Sequence, residues 1–156
     1  MAIDYIDIKT DERFTYSMRI ELGKIFADQE KSDLDKFKET YECLYNHTPK
    51  ASEYKELILH FEQIVNDLVY WLETEEKMLS SSPSADEIAA GVREYSQAVG
   101  ELATVISLSK DYHTFPNDIL KRPYSEIFSI LYADSERAKF DRRLNDVIMK
   151  KNKWHK

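Results

Sequence analysis

Glycine and proline are scarce in this chain, three and four among 156 residues. A fold of many tight turns draws heavily on both, so their scarcity argues against an all-β architecture and for long regular segments. Cysteine is scarcer still. The single thiol, Cys43, excludes an internal disulfide and suits a reducing compartment. Long apolar runs are also missing: none approaches the roughly 20 residues needed to span a bilayer. The opening residues, Met-Ala-Ile-Asp-Tyr-Ile-Asp-Ile, alternate acids with apolar groups, unlike a signal peptide. These absences lead to the expectation of a cytoplasmic protein with no membrane partner.

Reactive motifs are missing as well. No glycine-rich loop offers a phosphate cradle, and no serine stands in a Gly-x-Ser-x-Gly elbow. Cys43 lies between Glu42 and Leu44, without a basic sequence neighbour to lower its pKa. The four histidines, His47, His60, His113 and His155, fall in four separate elements. Glu56 and His60 share a helix face, but helical di-iron sites space Glu and His by three residues and in two copies. The expectation is therefore a non-enzymatic protein with no catalytic residue, no metal site and no cofactor.

What is present is helical periodicity. Charged residues at 33% and hydrophobic ones at 42% fit a helical globular protein, and 156 residues are most simply one domain, 1–156. From Asp11 onward, Phe14, Met18, Leu22, Ile25 and Phe26 recur at helical steps, with Gly23 leaving room for another backbone to approach. Ser32 reads as an N-cap, and Leu34, Phe37, Tyr41, Leu44 and Tyr45 follow on one face until Asn46–Pro49. The stretch from Ser52 to Leu79 carries the broadest stripe: Leu57, Phe61, Ile64, Val65, Leu68, Trp71 and Leu72, widened by Ile58 and Val69. Such breadth predicts a central helix with neighbours on more than one side, and Glu73–Lys77 as its solvated end. Ser84 and Glu87 form a capping box that opens a helix to about Ser109, with Ile88, Val92, Tyr95, Val99, Leu102 and Ile106 as its stripe.

Pro116 and Pro123 mark a corner: a one-turn helix over Pro116–Lys121, then a longer helix from Pro123. In that last helix Tyr124, Ile127, Phe128 and Leu131 follow one phase, whereas Phe140, Leu144, Val147 and Ile148 follow another. Either it bends near Ala133–Ser135 or its second half faces a different surface. The fold expected is an all-α bundle of five to six helices, and the broken alternation of Ile3–Ile8 admits a short N-terminal strand. Phe26, Phe37, Phe61, Ile64, Leu68, Trp71, Leu102, Ile106, Ile127 and Leu131 are the expected core.

Charge is uneven. The chain carries −7, yet Lys139–Lys156 holds seven basic residues against Asp141 and Asp146, or +5, leaving −12 for the rest. Such a basic tail, with Arg142, Arg143, Lys150, Lys151 and Lys153, attracts an acidic partner, a neighbouring copy or phosphates. The acidic remainder would repel a duplex, which disfavours nucleic acid as the main partner.

Three segments carry a family resemblance: Arg19–Phe26 with Lys31-Ser32-Asp33, Gly91-Val92 through Gly100–Thr104, and Pro116–Tyr132 with its Pro-Asn-Asp-Ile-Leu-Lys-Arg-Pro-Tyr corner. Together they resemble small helical proteins encoded among the tail genes of phages and prophages, especially those of Bacteroides-type hosts. Those proteins are similar in genomic role to tail assembly chaperones, which hold the tape measure protein before the tail tube polymerises. The resemblance implies a non-enzymatic factor in the host cytoplasm that binds the tape measure protein or its own copies. The candidate partner-binding residues are Tyr124, Phe128 and Tyr132 at the corner, with Phe140, Leu144, Val147 and Ile148 beyond it. The alternative is a small nucleic-acid-binding or regulatory protein that uses the basic tail.

Overall fold

The structure, a computed structural model, describes residues 4–79 and 83–153. Among them every regular element is a helix: α1 (Tyr16–Ala27), α2 (Asp33–Tyr45), α3 (Tyr54–Leu79), α4 (Ala85–Ala89), α5 (Val92–Val99), α6 (Glu101–Asp111), α7 (Pro116–Leu120) and α8 (Tyr124–Lys153). The all-α class is as expected. The expected five to six helices become eight because one anticipated helix, from Ser84 to about Ser109, is three. Gly91 (φ 81°) and Gly100 (φ 47°) sit where L side chains are strained, and each interrupts the hydrogen-bond ladder. Each also resets the direction in which the next side chains point.

Local chemistry sets the other boundaries. Thr15 and Ser32 accept hydrogen bonds from the Met18 and Asp35 amides and cap α1 and α2. Asn46, in the left-handed region, ends α2, and Ser84 and Glu87 form the capping box of α4. Pro116 stands in the first turn of α7, where its missing N–H costs nothing. The corner after α7 is stitched to the start of α1: Tyr16 N donates to Arg122 O at 3.0 Å, and Tyr124 N to Phe14 O at 2.8 Å. That pair of bonds fixes where α8 begins.

The N-terminal segment is not a strand. Ile3 lies outside the described residues, and residues 4–8 have no β partner. Asp7 instead draws the chain into a turn, its carboxylate accepting from Lys9 N and Thr10 Oγ1. The alternation still serves burial, since Ile6 and Ile8 both enter the core. Their backbone polar groups are satisfied by side chains: Ile6 N donates to Tyr45 Oη at 2.9 Å, and Trp71 Nε1 donates to Ile8 O at 2.8 Å.

The core joins this segment to α1, α2, α3, α6, α7 and the beginning of α8 through Phe14, Leu22, Ile25, Phe37, Tyr41, Leu57, Ile64, Leu68, Trp71, Leu108, Ile119 and Ile127. Of the expected core, Phe26, Phe61 and Leu131 are partly buried against it. Leu102 and Ile106 are not core: they are 57% and 37% exposed, and Val105, Leu108 and Ser109 form the buried face of α6. The rest of that stripe is open as well: Ile88 is 49% and Tyr95 61% exposed, and neither α4 nor α5 buries a residue. Gly23 makes room for a side chain rather than a backbone, since a Cβ there would lie 2.7 Å from Arg19 Nη1.

Candidate protein-interaction surface

Helix α8 is continuous over 30 residues, on the order of 45 Å. Its proximal part packs on α3 and α1. Tyr124 and Ile127 are buried, Phe128 and Leu131 half-buried, and the Trp71 ring meets those of Tyr124 and Phe128 at 4.9 and 5.2 Å. Every residue from Phe140 to Asn152 is exposed. The second apolar phase, Phe140, Leu144, Val147 and Ile148, is 44–54% exposed. At roughly 100° per residue this stripe falls on the side of the helix opposite Tyr124, Ile127 and Leu131. The distal half of α8 is an amphipathic arm whose apolar side stays open among the described residues.

The candidate residues thus separate into two groups. Tyr124 is a core residue, 2% exposed, whose hydroxyl donates to Glu75 Oε1, and it presents no surface to a partner. Its phase places it over Trp71, so burial won over exposure at the corner. Phe128 is half-buried in the same cluster, and Tyr132 is 38% exposed at its margin. The remaining four stand on the arm. Among the bases, Arg143, Lys150 and Lys151 are exposed along it, whereas Arg142 turns back toward the body, Nη2 3.8 Å from Glu87 Oε2. Lys153 closes α8 with its side chain outside the described structure, and residues 154–156 lie outside it altogether.

A second feature had no counterpart in the sequence reading. A cleft of about 360 Å³ opens between α1, α3, α6 and the middle of α8, floored by Arg19, Glu75, Tyr16 and Glu101. Arg19 is 7% exposed and grips Glu75 with two bonds, Nε to Oε1 at 2.7 Å and Nη2 to Oε2 at 2.5 Å. Burial opposes its charge and the carboxylate overrides that, leaving the guanidinium pKa raised. Burial likewise pushes up the hydroxyls of Tyr16 and Tyr124, each donating to a glutamate, Glu101 and Glu75. Glu75 is therefore no part of a solvated helix end. Its position four residues after Trp71 and seven after Leu68 was the signal that it faces inward. These groups satisfy one another and clamp α1, α3, α6 and α8 together.

Other chemistry-bearing residues are equally occupied. Burial pushes the Cys43 thiol up to about 11, away from the thiolate form. His60 faces tyrosines, with Tyr41 Oη 2.8 Å from Nδ1, and burial lowers its pKa. Among the described residues, no three His, Cys, Asp or Glu side chains converge into a metal-binding group. Among them too, no helix is long and apolar enough to cross a membrane. Compared with protein-family models, curated proteins and solved structures, the chain matches none.

Proposed function

We propose that the protein is a non-enzymatic helical assembly factor that holds a helical protein partner along the distal arm of α8. The observation that carries this reading is the uncovered stripe of Phe140, Leu144, Val147 and Ile148 on a helix whose first turns are packed against α3 and α1. A regular apolar stripe on a projecting helix is the recognition element of helix-in-groove and helix-on-helix binding. Arg143, Lys150 and Lys151 beside it favour a partner with acidic flanks. The resemblance to phage tail proteins supplies the candidate partner, the long tape measure protein, and the setting, the cytoplasm of a bacterial host.

The test is co-expression with a tape measure protein from the same genome, followed by purification of the complex. Recovery of the complex is expected with the natural chain and its loss with Leu144→Glu. Salt-sensitive duplex binding that is abolished by replacing Arg143, Lys150 and Lys151, and indifferent to Leu144→Glu, would overturn this reading in favour of nucleic acid.

A further inference from the structure

We infer that the apolar stripe of the α8 arm docks, in parallel, on the exposed face of α3 in a second copy of the chain, so that copies associate head to tail. The inference rests on the reading of the arm as an interaction element and names one occupant for it.

The receiving face lies on α3. Helix α3 buries Leu57, Ile64, Leu68 and Trp71, but its broad stripe continues beyond them. Val69 and Leu72 remain 45% and 42% exposed, with the half-buried Val65 beside them. Among the described residues that seam stays open. Its pattern matches the arm position by position. Along α3, Glu62, Val65, Val69 and Leu72 stand at steps of three, four and three residues; along α8, Arg137, Phe140, Leu144 and Val147 do the same. This spacing is that of a coiled-coil seam, in which equivalent positions of parallel helices meet. Three apolar residues then face three apolar residues, and a base faces an acid at the near end.

The flanks choose the direction. In parallel docking, Arg143 borders the seam against Glu73, both exposed. Antiparallel docking carries Arg143 to the flank away from Glu73. Arms pairing with each other fare worse, because antiparallel arms set Arg143 of one copy beside Lys150 of the other. A chain cannot close the contact on itself. Its own α3 and α8 run in the same direction, Trp71 beside Tyr124 and Phe128, then Met78 O accepting from Ser135 Oγ and Lys139 Nζ. The arm therefore projects past the end of α3, on the far side of its helix. A second copy displaced along that axis presents its seam to the arm in the parallel sense. Each copy then offers one arm and one seam, an arrangement that grows into a ring or a filament.

Complementation of two variants of the full chain tests this. Leu144→Glu spoils the arm and Val69→Glu spoils the seam; both sites are exposed, and circular dichroism checks that helicity is kept. The natural chain should gain mass with concentration beyond a dimer in sedimentation velocity. Each variant alone should be monomeric, and an equal mixture should form a dimer and stop there, since one good arm and one good seam remain. Arg143→Glu should weaken association by roughly tenfold and be rescued by a second chain carrying Glu73→Arg. A natural chain that stays monomeric at high micromolar concentration overturns the inference, as does a mixture that fails to dimerise. Association insensitive to Val69→Glu also overturns it, because the arm then sits elsewhere. Neither readout involves a tape measure protein, so this inference and the proposed function fail separately.

Discussion

The two halves of α8 are one unbroken helix with opposite fates. The proximal half lays Tyr124, Ile127, Phe128 and Leu131 over α3 and α1, and its corner is bonded to the start of α1. The distal half carries as regular an apolar stripe, Phe140 to Ile148, and leaves it open. The difference is one of phase: the stripe changes sides past Leu131, so the face that continues toward the body becomes Ser135, Lys139 and Arg142 along the cleft. Amphipathicity alone does not distinguish a covered helix face from an open one.

Truncating a side chain in each half of α8 should give unequal losses. Ile127 is fully buried, and Ile127→Ala should cost about 2–5 kcal/mol by denaturant unfolding. Val147→Ala in dilute protein should stay within about 0.5 kcal/mol. Equal losses would mean that the arm is packed after all. Next in size is the clamp that holds the proximal half. Glu75→Ala strands the buried Arg19 charge and the Tyr124 hydroxyl, for an expected loss of about 3 kcal/mol in the same measurement. A loss under about 1 kcal/mol would place that pair with ordinary surface bridges.

A smaller effect is expected at Gly100, where no atom lies within 4 Å of an added Cβ. Gly100→Ala should therefore cost backbone strain alone, about 1–3 kcal/mol in melting experiments. No change would mean that α5 and α6 can join into the single helix their periodicity favours. The smallest concerns pH. Burial depresses the His60 pKa in the folded state, so the unfolded chain takes up the proton first as pH falls. Stability should be full above about pH 6.5, the ordinary histidine value, and decline below it until the folded pKa is passed. His60→Gln should flatten that segment of a stability-versus-pH curve and leave the acid limb, set by carboxylates such as Asp7 and Asp11, in place. An unaltered curve would remove His60 from the account.

Helix positions were legible where the signal is local. Ser32, the Ser84–Glu87 box and the Pro116–Pro123 corner each bind or omit backbone groups within a turn of themselves, and each boundary stands where those residues set it. Faces were less legible. Leu102 and Ile106 read as core because the stripe from Ile88 onward is regular, yet α4 and α5 bury none of it and α6 turns Val105 and Leu108 inward instead. Tyr124 read as a partner-binding residue of the corner, yet its ring is buried against Trp71. The Arg19–Glu75 clamp was missed because its partners stand 56 residues apart, and a charged residue within an apolar face carries no label for its counter-ion.

Helicity, most helix starts and the two apolar phases of the last helix follow from groups within four residues of each other, whose geometry the backbone dictates. Which phase is covered does not follow from them. Coverage depends on which distant segment arrives to exclude water, and α3 reaches the first half of α8 while the second projects past its end. The same competition left Val65, Val69 and Leu72 open on α3 itself, because a helix face is buried only where another element comes to meet it.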